Sequence, residues 1–188
     1  MKKGYIVVGI ILLVMVIGVV FGIKKYNKLI DLDTMVENKY ADIQVQLERR
    51  LDLIPNLVNT VKGYMTHEEK VINSITEARE KLSRANNALE QAEANQELTQ
   101  ALNNLYVIVE NYPDLKANQN FIQLQDELAG TENRIAVART NYNEVVKDYN
   151  KTIKKFPTMI IASMFNFNEK EYFIARDGAE DVPEVNFE

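Results

Sequence analysis

Arg49-Arg50-Leu51-Asp52-Leu53-Ile54-Pro55-Asn56-Leu57-Val58 sets two cations, one anion, a proline and an asparagine among aliphatic residues. The stretch lies inside a longer pattern. Apolar residues recur at Leu29, Leu32, Val36, Tyr40, Ile43, Leu47, Leu51, Ile54, Val58, Val61 and Met65, always three or four apart. That spacing is the stripe of an amphipathic helix. Pro55 is discordant, because it removes one backbone hydrogen bond. Either the helix kinks there, or Asp52 caps a restart with Pro55 in the new first turn. Both readings predict a bend.

Working outward toward the N-terminus, Tyr5 to Ile23 (YIVVGIILLVMVIGVVFGI) runs for 19 residues without a charge. At ~1.5 Å per residue this is about 28 Å of helix, close to the ~30 Å hydrocarbon core of a bilayer. The run is too long for the apolar part of a signal peptide, and no A-x-A-like site follows it. Lys24-Lys25-Tyr26-Asn27-Lys28 follows instead, a cationic and aromatic interfacial anchor. We therefore expect residues 1–25 to form an uncleaved single-pass anchor. With no Gly/Pro linker after it, the membrane helix is expected to continue into the amphipathic one. Gly18 and Gly22 form a GxxxG spacing that lets two membrane helices approach closely, which marks them as association candidates. Lys24, Lys25, Lys28 and Lys39 outnumber Lys2 and Lys3 near the span, a bias that places the C-terminal bulk in the cytoplasm.

Toward the C-terminus, Gly63 precedes Thr66-His67-Glu68-Glu69, which reads as a capping box with Thr66 at the N-cap and Glu69 reaching back. A second helix follows with Val71, Ile75, Ala78 and Leu82 inward. Ser83 to Glu97 has few large apolar residues and reads as a frayed helix and connection, with Asn95 capping a third helix (Leu98, Leu102, Leu105, Val109, Tyr112). A last helix is predicted from about Asn118 to Phe156, along Phe121, Leu124, Leu128, Ile135, Ala138, Tyr142, Val145, Tyr149, Ile153 and Phe156. Gly130 falls inside it, where close helix packing would account for a bare backbone. The fold class is thus all-α: a transmembrane helix continuous with an antiparallel up-and-down bundle of three to four long helices over residues 26–157. Residues 158–188 comprise an apolar segment, Thr158 to Phe167, expected to cap the bundle end, and an acidic, irregular tail. An oligomer contact or a contact with lipid headgroups is the alternative for the apolar segment. Val182 to Phe187 alternates like an extended strip.

Composition narrows the chemistry. There is no Cys and one His, His67, so disulfides, thiolate nucleophiles and multi-His metal sites within one chain are excluded. All 27 acidic residues lie at or after Asp31, whereas five of the 22 basic ones precede it. The part from Asp31 onward therefore carries 17 basic against 27 acidic groups, a net of −10. Such a charge disfavours nucleic acid. His67-Glu68 opens like HExxH, but Val71 stands where the second His belongs. No GxGxxG, P-loop or GxSxG motif occurs, so neither enzyme activity nor a cofactor is expected.

Several blocks together resemble the LemA family of bacterial membrane-anchored helical proteins. They are Tyr26-Asn27-Lys28-Leu29, RRLDLIPNLV, Ala78-Arg79, Tyr112 to Asn118 (YPDLKAN), Leu128 to Asn143 (LAGTENRIAVARTNYN), Phe156-Pro157, Tyr172-Phe173 and the VPEVNF ending. The resemblance implies a short N-terminal segment, one membrane helix and a helical-bundle domain; it implies no known reaction.

The polar residues of these blocks are the candidate interaction set: Arg49, Arg50, Asp52, Pro55, Asn56, Asn118, Glu132, Arg134 and Arg139, with Asn133 and Asn143 beside them. One reading is a structural network of Arg–carboxylate pairs tying the first helix to the last, with Arg50–Glu132 and Asp52–Arg134 as specific pairs. The other is a partner-binding face. The function expected is a membrane-anchored, non-enzymatic scaffold that self-associates through rod and anchor. The alternative is an adaptor that binds and positions another membrane protein such as a protease. The partners expected are the lipid bilayer, further copies of the chain, and a membrane or envelope protein.

Overall fold

In the computed structural model, the structure describes residues 2–65 and 67–174, with side chains from residue 9. Thr66, the acidic tail and the Val182–Phe187 strip lie outside the described residues. The described chain is all-α, without strands: α1 Lys2–Lys62, α2 Glu69–Arg84, α3 Ala88–Val109, α4 Pro113–Lys116, α5 Gln119–Ile153 and α6 Thr158–Met164.

α1 passes through Pro55 without interruption, so the restart at Asp52 does not occur. A proline inside a helix withholds one donor, from the carbonyl four residues earlier. That carbonyl finds another donor, as described below. The inward register also differs from the expected stripe. Ile43, Leu47, Arg50, Ile54, Leu57 and Val61 are buried, while Leu51 and Val58 are only half-buried. A stripe chosen for apolarity skips the one inward position that carries a charge.

α2 begins at Glu69 with Glu68 at the N-cap and no side-chain cap, so Glu69 stands at the first helical position rather than the third. α3 begins at Ala88, well before the expected start. Asn87 caps it by accepting from Glu90 N at 2.8 Å, and the Glu90 carboxylate accepts from Asn86 N at 2.9 Å. Its first turns bury Ala88, Ala92 and Ala94, side chains too small to mark an apolar stripe yet well suited to close helix packing. Asn95, expected as a cap, is buried within this helix. Asn118 caps α5, accepting from Phe121 N at 3.1 Å. On α5, Thr131 fills the inward position between Leu128 and Ile135 and is fully buried.

The chain divides into two compact units. The first comprises Met1–Ala41 with Asn141–Lys170. There Leu29 and Val36 of α1 are buried, as are Tyr142, Val146, Tyr149 and Ile153 of α5. Asn150 clamps the chain after α6 with two hydrogen bonds to the Lys170 backbone, both at 2.9 Å. Lys170 Nζ lies 2.8 Å from Asp33 and 5.7 Å from the Tyr149 ring centroid. Burial, with Asp33 adding to it, pushes the Tyr149 phenol up to about 12.

The second unit comprises Asp42–Thr140 with Glu171–Glu188. Here α1 pairs with α5 in antiparallel sense, Gln46 meeting Arg134 and Arg49 meeting Glu127. Its core is formed by Ile54, Leu57, Ile75, Leu98, Leu105, Leu115 and Phe121, all essentially inaccessible. Phe173 belongs to this core as well.

Candidate functional site

The second unit is organised around Arg50. Its place in the inward register carries the guanidinium into the interior, leaving 2% of the residue exposed. A buried cation is tolerated only when paired and hydrogen-bonded. Nη1 donates to Asn95 Oδ1 at 2.6 Å and to the Glu132 carboxylate, and Nη2 donates to Thr99 Oγ1 at 3.0 Å. Thr99 can accept because its own hydroxyl proton goes to the Asn95 carbonyl, 3.0 Å away on the preceding turn. Nε is buried with no hydrogen-bond partner among the described residues. Burial pulls the Arg50 guanidinium below its usual value, and Glu132 and Tyr106 oppose that shift. Burial likewise raises the Tyr106 phenol, against Arg50. The network therefore ties α1, α3 and α5 through one side chain.

One turn along, Pro55 leaves the Leu51 carbonyl without its helical donor. Arg79 Nε on α2 donates to that oxygen at 3.1 Å. This bond links two blocks of the sequence that share no apparent chemistry. The proline creates an acceptor and the arginine of a different helix fills it. Together, Arg50 and Arg79 bind α1 to each of the other long elements of this unit.

The remaining candidates separate by location. Asp52 is exposed and does not meet Arg134; the Arg134 guanidinium instead donates to Gln46 Oε1 and Thr131 Oγ1, each at 3.0 Å. Position 52 points away from α5, since Arg50, two residues earlier, takes the inward direction. Gly130 does not mark close helix packing, because a Cβ there would meet the Arg134 guanidinium at 3.5 Å. Arg49, Arg134 and Gly130 line an open polar groove with Gln123, Asp126 and Glu127. Arg49 and Glu127 are 3.7 Å apart and both substantially exposed, a pairing worth at most ~1 kcal/mol. Arg139 is exposed and borders a shallow cleft with Glu132, Asn95 and Phe173. Pro55 and Asn56 face outward, and the Asn56 carbonyl accepts from Thr60 Oγ1. Asn118 joins its capping role to a bond from Nδ2 to Tyr64 Oη at 2.8 Å. Gly18 and Gly22 lie on the apolar part of α1, where an added Cβ would meet nothing within 4 Å.

Sequence reasoning missed Asn95 and Thr99 as partners of Arg50, and Arg79 as partner of the Pro55 turn. The spacing of Asn95 and Thr99, four apart on one helix face, was a usable signal. Nothing in the sequence pairs Arg79 with Leu51, because the contact is to a main-chain oxygen. What the site can do chemically is hold helices in register: it contains cations, amides and hydroxyls whose hydrogen bonds are directed at one another.

Comparison with known proteins follows the same outline. Protein LemA of Metamycoplasma hominis is 25% identical over 171 residues, covering 89% of this chain and 78% of that protein. Magnetosome protein MamQ 2 of Paramagnetospirillum magneticum is 25% identical over 185 residues, covering 85% of this chain and 68% of its own length. Magnetosome protein MamQ of Magnetospirillum gryphiswaldense is 24% identical over the same coverage. The LemA family profile matches residues 39–187, a span that includes the Arg50 network, the Pro55 turn and all of α2 to α6. On this match the chain belongs to the LemA family.

Proposed function

We propose that the chain is a membrane-anchored, non-enzymatic scaffold that self-associates through its anchor and the helical rod continuing from it. The observation that carries this reading is α1 itself. It is unbroken from Lys2 to Lys62, and its apolar N-terminal part is long enough to cross a bilayer. No Gly/Pro linker separates the apolar part of this helix from Leu29 and Val36, which are buried in the first unit. Gly18 and Gly22 then supply a bare-backbone face for a second anchor. Beyond the anchor, Ile30, Met35 and Val45 are exposed apolar residues on the same helix. Cross-linking of a Val14→Cys variant in native membranes, in the cysteine-free background and on the same side of the helix as Gly18 and Gly22, tests this. Disulfide-linked dimers support the reading; monomers alone refute it.

The adaptor reading is favoured by a different feature, the open groove bordered by Arg49 and Arg134. Both are surface cations, so charge reversal there leaves the core intact. A membrane protein that co-purifies with the wild type and is lost from an Arg49→Glu/Arg134→Glu variant would favour the adaptor over self-assembly. Two of the relatives are named as magnetosome proteins, which is consistent with work at a membrane under either reading. We place the folded part in the cytoplasm from the lysine bias around the span. An impermeant maleimide should label an exposed Val107→Cys variant only after lysis; labelling of intact cells would reverse that assignment.

A further inference from the structure

α6 and its flanks have an amphipathicity opposite to that of a soluble surface helix. The small side chains of Thr158 and Ala162 are buried. Phe156, Met159, Ile160, Met164 and Phe165 are instead 50–78% exposed. Within α6, positions 160 and 164 are four apart and 159 lies beside 160, so these three large apolar groups share the face opposite Thr158 and Ala162. A soluble monomer rarely presents so contiguous a patch without a partner for it.

The location of this face identifies the partner. The Phe165 ring centroid lies 4.7 Å from that of Tyr26, and the Phe167 centroid lies 5.9 Å from it. Tyr26 is three residues past Ile23, the end of the uncharged run, or about 4.5 Å along the helix axis. A bilayer adds ~5–8 Å of headgroup region beyond each edge of its hydrocarbon core. With Tyr5–Ile23 read as the span, Tyr26 falls at headgroup depth, and Phe165 with it. Lys24, Lys28 and Lys155 are exposed on the flanking segments, the distribution that suits an interfacial helix.

We infer that α6, with Phe156 and Phe165, docks its outward apolar face into the headgroup–acyl boundary of the bilayer crossed by the chain's own anchor. The occupant is lipid, because the face adjoins the end of the span. This rests on the reading of Tyr5–Ile23 as a membrane span, and the experiment separates the two. Single-Cys variants Ile160→Cys, Met164→Cys, Met35→Cys and Val14→Cys of the full chain would carry an environment-sensitive fluorophore. They would be reconstituted in vesicles of phosphatidylcholine and phosphatidylglycerol, with and without a phospholipid bearing a nitroxide on its acyl chain. Met35 is the exposed control, 12 residues beyond Ile23 and about 18 Å along the axis. Probes at 160 and 164 should be quenched roughly threefold more strongly than the probe at 35, as expected for a helix seated ~5–10 Å into the interface. Quenching at 160 and 164 no greater than at 35, with the probe at 14 quenched, overturns the inference and leaves the span standing. A blue-shifted probe at 164 that the nitroxide cannot reach marks a protein contact, such as a second copy, and also overturns it. No quenching at 14 removes the span and the inference together.

Discussion

If Arg79 serves the carbonyl that Pro55 leaves open, the two residues are energetically coupled although neither side chain needs to touch the other. Arg79→Met removes the donor from a half-buried Leu51 carbonyl. A hydrogen bond from a charged donor contributes ~1.5–3 kcal/mol when buried, and partial solvation brings the expected loss to ~1–2 kcal/mol. Pro55→Ala acts in the opposite direction. It restores the main-chain N–H and lifts a helix-interior penalty of up to ~3 kcal/mol, so it should stabilise. With Ala at position 55 the Leu51 carbonyl already has its helical donor, and losing Arg79 then costs ~1 kcal/mol less. For a domain of this size ~1 kcal/mol corresponds to a shift in Tm of ~2–4 °C. The assay is thermal unfolding of the full chain in mild detergent, followed by circular dichroism, for the wild type, both single variants and the double. Equal losses from Arg79→Met in both backgrounds would refute the reasoning.

Three further outcomes follow from the same geometry. The Glu132 side chain is 39% exposed and that of Arg50 is 3% exposed, so Glu132 can rehydrate when its partner is lost and Arg50 cannot. Glu132→Gln should therefore cost ~3 kcal/mol and exceed Arg50→Met, by chemical denaturation of the same preparation; the reverse order would contradict the burial argument. Asn87→Ala should cost ~0.5–2 kcal/mol by removing the α3 cap, and an unchanged Tm would return the start of α3 to a position beyond Ala88. Tyr149 holds its proton up to about 12 in the folded state against an ordinary 10.0. The unfolded state thus releases that proton first, and stability falls as pH rises from 10 toward 12. Tyr149→Phe should flatten that alkaline loss and delete one late-titrating phenol from the ultraviolet titration.

Much of the fold is legible in the sequence because the helices are long. Ten apolar positions at steps of three or four, Leu29 to Val61, fall within α1, and nineteen uncharged residues mark its apolar N-terminal part. Arg50 and Glu132 could be paired on opposite charge in two dense blocks, and the structure brings them together. Three kinds of information were not legible. Alanine faces, as at Ala88, Ala92 and Ala94, pack closely yet have little hydropathy to read. A charged residue in an inward register, Arg50, is invisible to any rule that keeps charges outside until Asn95 and Thr99 are placed around it. Bonds to main-chain oxygens, such as Arg79 to Leu51, leave no complementary residue to find. The apolarity of Thr158 to Phe167 suits a cap on the bundle end, an oligomer contact or a lipid-headgroup contact alike, and it does not show that α6 turns its large side chains outward and its small ones in.

The central claim is self-association through the anchor, and stoichiometry in lipid tests it most directly. Full-length chain carrying one fluorophore per copy would be extracted in native-membrane nanodiscs, and photobleaching steps counted for the wild type and for Gly18→Leu/Gly22→Leu. The account predicts two or more steps per disc for the wild type, collapsing toward one in the double variant. Single steps for the wild type would contradict it.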